Sequence, residues 1–233
     1  MEPGMSLIGE QVAVVSLGVS CQTAARINSE VRLIRALAGD PSMRVTALPL
    51  DWVLAPIMST TEMLKDLGAF PALEEITFRG SGTGKPWWRR MNCYYWHAFD
   101  FLDGGPDLVD ENYEQVRAKF RSMADKASSL RDGRRVVCVV SNTQPNLDEV
   151  VDAVGTLSSF VSGAELRALR AQVSHTFGDE AELVFVTHPE LHTGVHVPGV
   201  SIVERPWDAS RYWTGSAHPW RDVFFEIFDQ PGR

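Results

Sequence analysis

Three short runs of β-branched and apolar residues constrain this chain more than any other feature: Gln11 to Leu17 (QVAVVSL), Arg134 to Ser141 (RRVVCVVS) and Glu182 to Thr187 (ELVFVT). None of them alternates apolar with polar residues, so each predicts a strand covered on both faces. Strands of that kind belong to sheets layered between helices. The intervening segments have helical spacing. From Ser20 the apolar positions are Ala24, Ala25, Ile27, Val31, Ile34 and Leu37; Asp110 to Leu130 carries Tyr113, Val116, Phe120 and Met123 on one face; Gly163 to Phe177 is a further amphipathic stretch. Asn146 is placed to cap a helix through Val154, Val200 to Glu204 predicts a last strand, and a terminal helix is expected from about Pro219.

The expected fold is therefore α/β, a mostly parallel sheet with helices on both faces in a Rossmann-like three-layer arrangement. A length of 233 residues suits one such domain, spanning 1–233, with an irregular insertion at about 79–109 and an aromatic-rich segment at 207–233. Less regular pieces lie between. Val45 to Leu50 holds Pro49 and predicts a short edge strand or extended segment; Ser59 or Thr60 is expected to cap a short helix that Gly68 ends.

Composition excludes several function classes. Lys and Arg number 22 against 30 Asp and Glu, a formal charge of -8, which is the wrong balance for a nucleic-acid partner. No charge-free run approaches the roughly 20 apolar residues of a membrane span, and Met1 to Glu10 lacks the basic start and apolar stretch of a signal peptide, so a cytoplasmic location without membrane contact is expected. Cys21, Cys93 and Cys138 are an odd, scattered set and read as free thiols.

In parallel sheets, sites form at the carboxyl ends of strands, which singles out Gly18 to Cys21, Ser141 to Gln144 and Thr187 to Pro189. Cys21 follows a strand and a glycine turn and stands at the start of a helix, where backbone N–H groups favour a thiolate and could hold an oxyanion. A nucleophilic thiol needs a base. His97, in the aromatic loop NCYYWHAFDF with Asp100 and Asp103 nearby, is the expected one, oriented by Asp100 or Asn142. Asp51 sits beside Trp52 inside an apolar run, where an acid needs a partner. Gly18, Ser20, Trp52 and Trp96 are expected to contact substrate.

Other patterns fail on inspection. His188, His192 and His196 are spaced four apart, but Pro189 and Gly194 argue for a loop rather than a helix holding a metal. Gly80 to Pro86 (GSGTGKP) has Arg79 where a phosphate loop needs its first glycine, and Pro86 where it needs Ser or Thr. No cofactor and no metal are expected. His175 reads as a helix C-terminal residue, and Lys85, Arg89 and Arg90 as a solvated loop.

Three separated stretches, VVSLGVSCQTAARI, LPLDWVLAP and the His97 segment, resemble a bacterial family of unknown function described as papain-like cysteine peptidases. Members open with an SLG..C..A..L block and a P.DW block, and the likeness continues through Tyr113 to Phe120, Val136 to Val140 and Trp207 to Trp220. The resemblance implies Cys21 as nucleophile, His97 as base and Asp51–Trp52 as a signature pair, with cleavage of a peptide or amide as the reaction. This chain departs from the family in having Leu50 where Phe is usual and in a longer stretch around Gly80 to Arg90. A papain-type cysteine has no parallel strand before it, whereas Cys21 follows one, so the expected topology is nearer to a doubly wound or SGNH-hydrolase-like sheet. In the latter a catalytic serine follows the first strand, a place that Ser20 or Cys21 would take; the C-terminal D-x-x-H of those hydrolases is missing.

The expected function is a cysteine-dependent hydrolase or acyl-transfer enzyme acting on a peptide, an amide or a small metabolite. Two alternatives stand beside it: a biosynthetic tailoring enzyme with Asp51/His97 acid–base chemistry and no thiol nucleophile, and a non-catalytic subunit binding a protein partner or a second copy through Trp87, Trp88, Trp213 and Trp220.

Overall fold

A computed structural model describes residues 11–79, 85–95, 97–99, 107–131, 133–145, 160–192, 194, 196–206 and 212–228. Its centre is a five-stranded parallel sheet made of β1 (Val12–Ser16), β2 (Arg44–Val45), β6 (Arg135–Ser141), β7 (Glu182–Thr187) and β8 (Val200–Glu204), in the order β2-β1-β6-β7-β8. The α/β fold expected from the three apolar runs is what the chain forms. β1 is buried at all five positions, and β6 and β7 at all but their first residue, because both faces of the sheet are covered.

The strands divide their side chains with period two. Ala13, Val15, Cys138, Val140, Leu183 and Phe185 face one apolar core, together with Met63 of α3 (Ile57–Met63), Tyr113, Val116 and Phe120 of α4 (Asp107–Ser128), and Leu166, Leu169 and Val173 of α5 (Gly163–Phe177). Val12, Val14, Val137, Val139, Val184 and Val186 face the other, against Ile27 of α1 (Gln22–Ser29), Ile34 of α2 (Val31–Leu37), and Trp220, Val223 and Phe224 of α6 (Ala217–Phe228). Three layers result. Ser162 caps α5 by accepting from the Glu165 N–H, while Glu165 reaches back to the Ser162 N–H at 2.8 Å.

Within this sheet the second strand in the chain lies on one side of the first and the third on the other. The order reverses between β1 and β6, the place at the carboxyl ends of the strands where sheets of this kind carry their sites.

Several local expectations need correction. The stretch expected to be irregular after Arg79 contributes strands: β3 (Ile76–Arg79), β4 (Lys85–Trp88) and β5 (Cys93–Tyr94) form a small antiparallel sheet. Phe70, Tyr95, Phe99, Tyr113 and Phe120 form an aromatic cluster, with Phe70 5.0 Å from Phe120 and 5.2 Å from Tyr95 between ring centroids. Aromatic-rich sequence without clear periodicity hid a sheet whose strands are two to four residues long. Only Arg44 and Val45 pair with β1; Pro49 to Trp52 turn as a 3-10 helix, since proline fits a first helical position and removes a strand donor. The helix expected to begin at Ser59 or Thr60 starts at Ile57 behind Pro56. The expected helix from Asn146 lies outside the described residues. Trp88 and Trp220 are buried, 4% and 3% exposed, so neither is available as an interface anchor. Among the described residues, no helix is long and apolar enough to cross a membrane.

Candidate functional site

β1 ends in a strained turn. Gly18 and Val19 both have left-handed backbones, with φ of 78° and 68°. A β-branched residue in that region is a genuine outlier, costing on the order of 1–3 kcal/mol, and such strain concentrates at functional sites. The segment 48–55 holds the turn in place. The Ala55 N–H donates to the Val19 carbonyl at 3.1 Å, and a Cβ on Gly18 would stand 3.1 Å from the Leu50 carbonyl oxygen. The first two sequence blocks of the family resemblance are therefore in direct contact. Beyond the turn Ser20 is fully buried, and Cys21, partly exposed, is the N-cap of α1.

Asp51 comes from the gripping segment. Its Oδ2 accepts the Leu48 N–H at 3.2 Å, closing the 3-10 turn. Burial pushes the carboxyl pKa up to about 7, opposed by the Leu48 N–H and the Ser16 hydroxyl. The Cys21 thiol is pushed up to about 12: burial is the main cause, the residue's own N–H opposes it, and the Asp51 carboxylate adds to the rise. Cys21 and Asp51 thus belong to one electrostatic unit at the mouth of β1. Next to Asp51, the Trp52 ring lies under the Lys119 ammonium, 3.3 Å from its centroid, which fixes the indole by a cation–π contact.

At the carboxyl end of β6, next to the start of α1, lies a buried polar network. Gln22 Nε2 donates to the Thr143 carbonyl at 3.3 Å, and the Thr143 hydroxyl donates to Gln22 Oε1 at 3.2 Å. With that proton committed, Ser141 Oγ donates to Thr143 Oγ1 at 2.7 Å. Asn142 is 1% exposed and ties the end of β6 to β7, its N–H on the Val186 carbonyl and its Nδ2 on the Leu191 carbonyl.

His97 has other neighbours. Its ring lies 5.8 Å from that of Trp213, and its pKa is lowered by partial desolvation and by Lys85. The groups that define its environment are Lys85 and Trp213, whereas those that define Cys21 are the helix start and Asp51. Trp96, Asp100 and Asp103 lie outside the described residues.

The histidines after β7 are separated by a one-turn 3-10 helix, Pro189–Leu191, so no continuous helix presents them. His192 Nε2 donates to Glu204 at 2.8 Å and Nδ1 accepts the Gly194 N–H at 3.0 Å, a bonding pattern that fits the neutral ring. Among the described residues, no group of three or more His, Cys, Asp or Glu side chains is arranged to hold a metal ion. Sequence reasoning singled out the Ser141 to Gln144 loop without giving Thr143 a role, and missed Ser16 and Gln22, whose only signal was their place beside the Gly18 to Cys21 turn at the carboxyl end of β1. Compared with protein-family models, with curated proteins and with solved structures, the chain matches none of them.

Proposed function

We propose that the chain is a cysteine-dependent hydrolase or acyl-transfer enzyme acting on a peptide, an amide or a small metabolite. The observation that carries this reading is the pairing of a partly exposed thiol, Cys21, just after a strained turn at the carboxyl end of β1 where the sheet order reverses, with Asp51, a carboxyl poised near neutrality in the segment packed on that turn.

Asp51 takes the role of base in place of His97. Burial raises both groups, the thiol further than the carboxyl, so a free thiolate lies uphill of the thiol–carboxylate pair. The thiol therefore stays protonated at rest and gives its proton to Asp51 as sulfur attacks the carbonyl carbon. Protonated Asp51 then returns that proton to the leaving group as its bond to the carbonyl carbon breaks, and a thioester on Cys21 remains. The Cys21 N–H, which faces its own sulfur, stands beside the oxygen of the tetrahedral intermediate. His97, against Trp213, belongs to the substrate-facing rim in this reading.

A second reading keeps Asp51 as the acid–base group and gives Cys21 no covalent role. The raised thiol pKa favours it. Incubation with p-nitrophenyl acetate followed by peptide mass spectrometry separates the two: an acetyl group on Cys21, absent in Cys21→Ala, supports the thiol mechanism, and product release without acylation supports the second.

A further inference from the structure

The central sheet has two edges, and they differ. β2 closes one side with only Arg44 and Val45 in the ladder, too short to template another strand. β8 closes the other with five residues (VSIVE), paired with β7 throughout. It carries no Lys, no Pro and no bulge, the devices that usually keep an open edge from pairing.

The register fixes which backbone groups of β8 point outward. The Arg205 N–H donates to the Thr187 carbonyl at 2.8 Å. Bonding alternates along a strand, so Ser201 and Val203 also turn their N–H and C=O towards β7, while Val200, Ile202 and Glu204 turn theirs away from the sheet. The Val200 N–H bends back to the Val197 carbonyl at 3.1 Å. Among the described residues, nothing bonds the outward main-chain groups of Ile202 and Glu204. α6 leaves this edge open: Val200 to Val203 line a groove of about 230 Å³ with Glu226 and Ile227.

Charge is arranged along the same edge. Val200 and Ile202 face the core on the α5 side, so Glu204 projects there as well; its carboxylate accepts from His192 Nε2, and its side chain is 53% exposed. The other end of the strand has a cation. Arg170 of α5 packs on Gly199, its Nε 2.7 Å from where a Cβ would stand, in a recess shared with Asp179, Glu180 and His196. β8 therefore has an acid at its carboxyl end and a guanidinium beside its amino end, both in the α5 layer.

We propose that β8 pairs antiparallel with β8 of a second copy of the chain, joining two five-stranded sheets about a twofold axis between the two Ile202 residues. Outward groups must face outward groups, which this register satisfies. Ile202 opposes Ile202 of the second copy and exchanges two N–H···O=C bonds with it, and Glu204 opposes Val200. Paired residues share a face, so each Glu204 carboxylate comes beside Arg170 of the other copy. The contact is isologous and closes as a dimer. It does not depend on the reaction at Cys21.

Sedimentation equilibrium of the full chain is expected to give twice the chain mass at submillimolar concentration and the single mass on dilution. A single mass throughout overturns the proposal. The Ile202 amide is expected to exchange slowly with solvent in the dimer and fast in the dilute monomer; a dimer in which it exchanges freely forms through another face and also overturns it. Ile202→Pro removes an outward N–H and no bond to β7, and is expected to abolish the dimer. Glu204→Arg is expected to weaken the dimer at least about tenfold, and adding Arg170→Glu to restore it. Native association of Glu204→Arg contradicts the register. Should Ile202→Pro unfold, exchange at Ile202 in the native chain and the charge swap still decide.

Discussion

The Leu50 carbonyl oxygen stands 3.1 Å from where a Cβ on Gly18 would be. Gly18 also has φ of 78°, so a side chain there meets both backbone strain and a fixed main-chain atom. Gly18→Ala is expected to destabilise the fold by about 1–3 kcal/mol, read as a lower urea midpoint, and to loosen Asp51 together with the turn. An unchanged midpoint would mean that the 48–55 segment yields freely and does not set the geometry at Cys21.

Asp51 links stability to pH. Its folded pKa, about 7, is raised above the unfolded value of 3.8, so the folded state binds the extra proton. The contribution of this group therefore falls as pH rises from about 4 to about 7 and stays low above that. The full effect is roughly 4 kcal/mol. Asp51→Asn, which keeps an oxygen for the Leu48 N–H, is expected to be more stable than the native chain at pH 8 and to close the difference at pH 4. Urea unfolding at the two pH values checks this, and equal differences at both contradict it.

The three thiols should separate by access. Cys93 and Cys138 are fully buried and burial raises both, whereas Cys21 is partly exposed. Iodoacetamide is expected to label Cys21 in the folded protein and the other two only in urea. Equal labelling in the absence of denaturant would remove the distinction between Cys21 and a core thiol.

Gln22 and Thr143 exchange two buried hydrogen bonds between α1 and the end of β6. Thr143→Val removes the hydroxyl and leaves Gln22 Oε1 without that donor, at a cost of about 1–3 kcal/mol. In a double-mutant cycle with Gln22→Leu, the two losses are expected to be strongly non-additive. Additive losses would show that the pair does not act as a unit.

The central sheet was legible because its strands are short, apolar on both faces and separated by amphipathic helices, so Val12 to Ser16, Arg135 to Ser141 and Glu182 to Thr187 were found nearly to the residue. The small sheet was not: Lys85-Pro86-Trp87-Trp88 does not alternate and holds a proline, which argued against a strand although it pairs with the nearby Ile76 to Arg79 across a glycine-rich connection. Cys21 and Asp51 stood out in sequence as a cysteine after a glycine turn and an acid in an apolar run. Their electrostatic coupling did not, since it depends on Val19 bending the chain back under Ala55. His97 drew attention through the aromatic residues beside it in sequence, whereas the ring it lies against is Trp213, far along the chain.

The most direct measurement is the pH dependence of Cys21 alkylation in the native chain and in Asp51→Asn, followed by peptide mass spectrometry. If Asp51 accepts the thiol proton, the native rate should rise through an inflection near 7, and Asp51→Asn should lose that inflection and react at least about tenfold more slowly at pH 8. If the carboxylate acts on Cys21 only by charge repulsion, removing it lowers the thiol pKa and Asp51→Asn reacts faster. The faster variant would contradict Asp51 as the base.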